Sequence, residues 1–221
     1  MRKINGKMHE LILITGAARS GISLIGDVLQ LCGAHNAVSD RDEIRETMVK
    51  PILRGLRADC SGQNPLPSIS QCLKVSKIVA LPWRRNIERT VAGKEGQIYY
   101  ASPLSCLIWP IWTQAFPRAR WIIVRREDQD IVSACIRTGY MNGYKNKYGW
   151  QEWVDWHKRR FPEIVSANAS TWTIWPHKLM TGDLSELKDL ILALGLRWDI
   201  ADVEDFLAPV LWKGGVFEVK K

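Results

Sequence analysis

The residues best equipped for chemistry lie early in the chain, in Gly16-Ala17-Ala18-Arg19-Ser20-Gly21-Ile22-Ser23. Their spacing is that of the phosphate-gripping P-loop, GxxxxGK[ST], with Ile22 in the lysine position. In such a loop the glycines let successive backbone N–H groups turn inward. The helix that follows presents its positive dipole end, so phosphate oxygens meet several donors at once. Arg19 supplies the cation that Ile22 does not, and Ser20 and Ser23 supply hydroxyls. Taken alone, the same residues also suit a plain strand-to-helix turn. What favours phosphate is the setting between a buried strand and an amphipathic helix.

The elements that must hold this loop are legible on both sides of it. Leu11 to Ile14 is a continuous apolar run, the pattern of a strand buried on both faces. Ile22, Leu24, Ile25, Val28, Leu29 and Leu31 recur at helical spacing, and Gly33 marks the stop. Ala34 to Val38 reads as a second strand, followed by a helix through Asp42 to Lys50 that Pro51 interrupts before Ala58. Between Gln71 and Gly96 the pattern suggests a strand near Lys77 to Leu81 and a basic helix after Pro82. Gln97 to Ala101 reads as a strand, Pro103 to about Ala115 as an apolar helix, Arg120 to Val124 as a buried strand and Asp128 to Thr138 as a helix. Trp150 to Arg160 forms an amphipathic helix, Thr171 to Trp175 a late strand and Leu184 to Leu194 a helix ended by Gly195. Strands alternating with helices predict an α/β fold, a three-layer α/β/α arrangement around a parallel sheet. We expect one domain over residues 1–221.

Composition narrows the partners. The chain has 221 residues, of which 46% are hydrophobic and 24% charged, as folded proteins have. The net charge of +8 favours anionic ligands, but the basic residues are dispersed and form no long arm, so nucleic acid is not expected. Five cysteines, without a CxxC pair, suggest neither a disulfide framework nor a zinc site and fit a reducing, cytoplasmic setting. No apolar run is long enough for a signal peptide or membrane span, so no membrane partner is expected.

With these elements in place, Thr15 to Ser23 resembles the first loop of the sulfotransferases that use 3′-phosphoadenosine 5′-phosphosulfate, typically G-x-P-R/K-S-G-T-S/T. Ala18 stands at the usual proline and Ile22 at the usual threonine. The family's second signature is an arginine at a strand end with a serine eight positions on, both reaching the cofactor's 3′-phosphate. Arg125 and Ser133 have that relation, after Trp121-Ile122-Ile123-Val124, and Asp130-Ile131-Val132-Ser133 is similar to its helix start. Phe116-Pro117-Arg118-Ala119-Arg120-Trp121 resembles the family's lead into that strand, whereas Tyr100, Ala101 and Ser102 occupy the place where many members keep a lysine and an acidic residue. Trp212-Lys213-Gly214-Gly215 resembles the loop that closes over the 3′-phosphate.

The resemblance implies a P-loop-like fold and sulfuryl transfer from 3′-phosphoadenosine 5′-phosphosulfate to a hydroxyl or amine of a small-molecule or glycan acceptor. It leaves 3′-phosphoadenosine 5′-phosphate as product and needs no metal. Its cofactor-binding residues are Ala17, Ala18, Arg19, Ser20, Gly21, Ile22, Ser23, Arg125, Ser133, Lys213 and Gly214. Arg19 is the candidate for stabilising charge on the leaving oxygen. If Ala34 to Val38 is a strand, Asp40, Asp42 and Glu43 emerge at the sheet's carboxyl edge, where open α/β sheets bind ligands. Glu43 is the candidate general base, with Asp42 next, against the plainer role of capping a helix. The four histidines are each expected to be solvated or structural, and most of the tryptophans to be core. Two further readings stand beside this one: a non-catalytic nucleotide-binding descendant, for which Ile22 and Tyr100 to Ser102 speak, and a divergent P-loop kinase. A nucleic-acid-binding module would rest on net charge alone.

Overall fold

The computed structural model describes residues 10–38, 43–59, 66–140, 143–144, 146–208, 210–213 and 216–219. Five parallel strands form one sheet in the order β2-β3-β1-β4-β5. They are β1 (Leu11–Gly16), β2 (His35–Asn36), β3 (Ile98–Ala101), β4 (Arg120–Val124) and β5 (Thr171–Ile174). β1 is central because every one of its residues is buried, which only a strand covered on both faces and flanked on both edges achieves. The chain leaves β1 toward the β2 edge, returns through β3, and then crosses to the other side as β4. The crevice outside the carboxyl ends of β1, β3 and β4 is therefore the switch point of the sheet.

Alternation along β1 sorts its side chains between two cores. Leu11 and Leu13 join Trp121 and Ile123 of β4 under α3 (Ile69–Thr90), α4 (Trp109–Ala115) and α6 (Lys147–Ala167). Ile12 and Ile14 join Ile122 and Val124 under α1 (Ile22–Leu31), α8 (Ser185–Ala193) and α9 (Ile200–Leu207). The result is the expected three-layer α/β/α arrangement. A third cluster lies at the carboxyl edge, where Ala17 and Ala18 of the loop pack on Ile131, Val132 and Cys135 of α5 (Asp128–Arg137) and on Trp150, Trp153 and Val154 of α6. The remaining helices are α2 (Lys50–Gly55) and α7 (Pro176–Met180), and β6 (Val210–Lys213) pairs with β7 (Val216–Val219) as a separate hairpin.

Most elements lie where the periodicity places them; two segments differ. Residues Lys77 to Leu81 are not a strand but part of α3, a helix of 22 residues. The β-branched run Lys-Ile-Val-Ala-Leu suits a strand locally. Cys72, Ser76, Ala80, Trp83 and Ile87 nevertheless form one helical stripe that buries against α4, and that stripe decides. Pro82 lies on the exposed face of α3, away from the buried stripe, and the helix runs on through it. Before Pro51 the helix widens into a π turn over Arg45–Val49, which relieves the clash between a proline ring and the carbonyl four residues earlier. The chain thus continues past Pro51 instead of breaking. β2 is also shorter than expected, keeping only His35 and Asn36 in the ladder.

Candidate functional site

The loop between β1 and α1 is built around one close approach and two left-handed residues. Gly16 pairs with Val124, and a Cβ on it would lie 2.4 Å from the Val124 carbonyl oxygen, so only glycine lets β4 come this near. Arg19 has φ 67° and Gly21 φ 102°. For Arg19 that conformation costs about 1–3 kcal/mol and persists only where its surroundings hold it. The N–H of Ser20 closes the turn on Ala17 O at 3.2 Å.

Gly21 then serves as N-cap of α1 with no side-chain cap, and no acidic residue stands in the first turn. The leading amides of a ten-residue helix therefore face the crevice without an internal acceptor. Ser20 is 1% exposed, and its Oγ is buried with no partner among the described residues. A buried hydroxyl left this way, beside uncapped amides, is what an anion-binding loop presents, so the residues fit a phosphate. Ile22 explains the missing lysine: it is buried in the core beneath α1 while also lining the cleft. A lysine there would lose that packing.

Cations surround the loop. Arg19 Nη2 donates to Thr138 Oγ1 at 3.2 Å, and its guanidinium lies 5.0 Å from the centre of the Tyr140 ring. Burial raises the Tyr140 hydroxyl above its ordinary pKa, with Arg45 and Arg19 opposing that rise. Arg126 is 4% exposed, and its Nη1 donates to the carbonyl of Arg19 at 2.9 Å. Burial lowers its pKa to about 10, with Asp130 at 3.7 Å acting the other way. Arg126 thus holds the strained residue of the loop by its backbone.

Two clefts adjoin this contact. One, of about 290 Å³, is lined by Arg19, Gly21, Ile22 and Ser23 of the loop together with Arg45, Ala101 and Tyr140. The other, of about 510 Å³, is lined by Arg125, Arg126, Asp128, Gln151, Lys158 and Trp175. In it the Arg125 guanidinium stacks 5.2 Å from the Trp175 ring centre and 5.9 Å from that of Phe161, and Lys158 pairs with Asp128 at 2.7 Å.

The residues expected from the sequence divide accordingly. Ala17, Ala18, Arg19, Ser20, Gly21, Ile22 and Ser23 make the loop, and Arg125, directly after the β4 residue that pairs with Gly16, lines the second cleft. Ser133 is exposed on α5 and is not among the residues lining either cleft. Glu43 is exposed and lines neither; its carbonyl accepts a bond from Thr47 Oγ1. Asp42 and Gly214 lie outside the described residues, and of Lys213 only its place at the end of β6 is described.

Tyr100 to Ser102, where the resemblance expects a lysine and an acid, do structural work. Tyr100 is buried against Trp112 at 5.3 Å, and Ser102 caps the 3-10 turn Pro103–Ile108. Thr15 Oγ1 donates to Ser102 O and accepts from Cys106 N, tying the end of β1 to that turn. Sequence reasoning missed Arg45, Arg126 and Tyr140. Only Arg126 carried a signal, since a residue next to Arg125 at a strand end must point toward the opposite side.

No family model matches the chain, and no curated protein resembles it in sequence. Solved structures do resemble it. The sulfotransferase domain of a Synechococcus olefin synthase superposes with a TM-score of 0.57 at 17% identity, covering 91% of this chain and 78% of that one. The chain has a sulfotransferase-like fold. A sulfotransferase from Mycobacterium tuberculosis matches similarly, with a TM-score of 0.54 at 14% identity over 90% of this chain and 70% of its own. Two further observations belong to the described residues alone: no group of histidine, cysteine and acidic side chains could hold a metal ion, and no helix is long and apolar enough to cross a membrane.

Proposed function

We propose that the protein is a sulfotransferase that takes a sulfuryl group from 3′-phosphoadenosine 5′-phosphosulfate. The observation that carries this reading is the uncapped start of α1 beside the buried Ser20 hydroxyl, with Arg19 in the loop and no lysine at Ile22, on a sulfotransferase-like fold. A triphosphate-and-magnesium enzyme would want that lysine. The donor supplies the sulfuryl group and leaves as a bisphosphate. The amides after Gly21 and the Ser20 and Ser23 hydroxyls hold its 5′-phosphate end, and Arg19 offsets the charge that grows on the departing oxygen. Arg125 takes the 3′-phosphate, and Lys213 with Gly214 closes over it. The acceptor, a small molecule or glycan, loses its proton to Glu43 or Asp42 as it attacks. The reaction proceeds without a metal, in the cytoplasm.

One observation favours a second reading. Among the described residues lining the cleft at the loop there is no histidine, aspartate or glutamate. A protein that binds the nucleotide without turning it over would need none.

Titration with 3′-phosphoadenosine 5′-phosphate in magnesium-free buffer tests both, beside Arg19→Ala and Arg125→Ala. Micromolar binding weakened in both variants is the expected result. Binding of ATP with Mg²⁺ in its place would overturn the reading in favour of a P-loop kinase. Turnover with an acceptor separates the enzyme from the silent binder.

A further inference from the structure

Of the eight large apolar side chains exposed among the described residues, three lie on α3: Leu73 at 47%, Ile78 at 77% and Leu81 at 56%. The helix buries its opposite stripe firmly. Trp83 meets Trp112 edge-on at 5.0 Å, Ser68 caps the first turn by accepting from Gln71 N, and Arg160 of α6 donates to Pro67 O at 2.9 Å just before it. The exposed face is therefore held in shape before any partner arrives.

That face is also strongly basic. α3 carries Lys74, Lys77, Arg84, Arg85 and Arg89 against the single acid Glu88, which Arg84 pairs at 2.8 Å. At about 100° per residue, the three apolar side chains and all five cations fall within one arc of about 160°. Along the axis Ile78 and Leu81, one turn apart, stand between Lys74 and Lys77 on one side and Arg84, Arg85 and Arg89 on the other. An aliphatic pair is thus bracketed by positive charge at both ends.

We propose that the outer face of α3 docks on an anionic lipid surface, with Ile78 and Leu81 entering the boundary between headgroups and acyl chains and the flanking lysines and arginines meeting lipid phosphates. Charge complementarity selects this occupant. A second copy of the chain would set five cations against five. A protein partner fits poorly, since lysine is depleted from such interfaces while it flanks both sides of an interfacial helix. Single-stranded nucleic acid would call for exposed aromatic rings to stack bases, and duplex DNA gains nothing from Ile78. The proposal concerns contact with a surface and needs no spanning segment; it is also independent of the nucleotide site, which lies at the sheet's edge.

The test is co-sedimentation with vesicles of phosphatidylcholine alone or mixed with phosphatidylserine, using the whole chain. Binding is expected only to the mixed vesicles and to weaken as salt rises. Ile78→Ser with Leu81→Ser, and separately Lys74→Glu with Lys77→Glu, should each reduce it about tenfold or more. Leu192→Ser, which removes from α8 an apolar side chain about as exposed as Leu81, should leave it unchanged. These positions are exposed, and circular dichroism of each variant verifies that the fold is kept. Wild-type protein that stays in the supernatant with mixed vesicles would overturn the proposal. So would binding that survives Ile78→Ser with Leu81→Ser, which would reduce the effect to adsorption by net charge. A dimer in sedimentation velocity, or duplex DNA binding, that depends on the same cations while vesicles are ignored would overturn it in favour of that partner.

Discussion

Replacing Arg126 with methionine separates holding the loop from holding the fold. The side chain is buried, and its lowered pKa, about 10, means that burial of the charge costs on the order of 3 kcal/mol. Against that, the bond from Nη1 to Arg19 O is charge-assisted and contributes about 1.5–3 kcal/mol. The two nearly cancel, as they commonly do when a buried charge gives way to an apolar side chain of similar length. Arg126→Met should therefore move Tm by no more than about 6 °C in either direction. The loop is another matter. Arg19 keeps φ 67° at a cost of about 1–3 kcal/mol, and without the bond to its carbonyl the backbone relaxes. A competent loop then populated roughly 5- to 150-fold less weakens bisphosphate binding by the same factor. Calorimetric titration with 3′-phosphoadenosine 5′-phosphate reads the second effect and differential scanning calorimetry the first. In the free protein the Arg19 carbon chemical shifts should leave the left-handed range. An Arg19 that keeps those shifts, with affinity within about twofold of wild type, would leave Arg126 with a packing role only.

Two other perturbations bear on the same frame. Gly16→Ala puts a methyl group 2.4 Å from Val124 O and 2.7 Å from Ser20 Oγ, so unfolding calorimetry should register a loss of about 1–3 kcal/mol together with loss of anion binding; a wild-type Tm would contradict the close approach of β4. His157 is wholly buried, donates from Nδ1 to Trp153 O at 2.8 Å, and is held by burial to a pKa of about 4. The unfolded chain takes up a proton near pH 6.5 that the folded protein refuses until about pH 4, so stability falls as pH drops through that window. Urea unfolding of wild type against His157→Phe should show a difference that grows by about 2 kcal/mol between pH 7 and pH 5, and parallel pH slopes would be evidence against a neutral buried imidazole.

What the sequence disclosed, it disclosed where one local pattern faces no rival. β4 occupies Arg120–Val124 and α1 Ile22–Leu31, as their apolar spacing predicts, because a doubly covered strand and a half-buried helix each write a full period into a few residues. α3 was hidden because its buried stripe is made of small or polar residues, Cys72, Ser76 and Ala80, while its large aliphatics face out. The loop between β1 and α1 was visible as a string of eight residues. Arg45 and Tyr140 were not, since they reach the cleft only after the π turn and the end of α5 have been set in three dimensions.

The place of β1 in the middle of the sheet bears on how the protein is made. Its neighbours are β3 and β4, so β1, the earliest of the described strands to be synthesised, waits roughly 90 residues for its first partner and longer for its second. At cellular rates of translation that interval is on the order of 5–20 s. Throughout it, Leu11, Ile12, Leu13 and Ile14 lack the strands that will cover their edges, and parallel pairing across such distances is slow to form. The loop between β1 and α1, which needs β4 against Gly16, is consequently among the later parts of the molecule to take shape, even though its residues are among the earliest of the described chain to be synthesised.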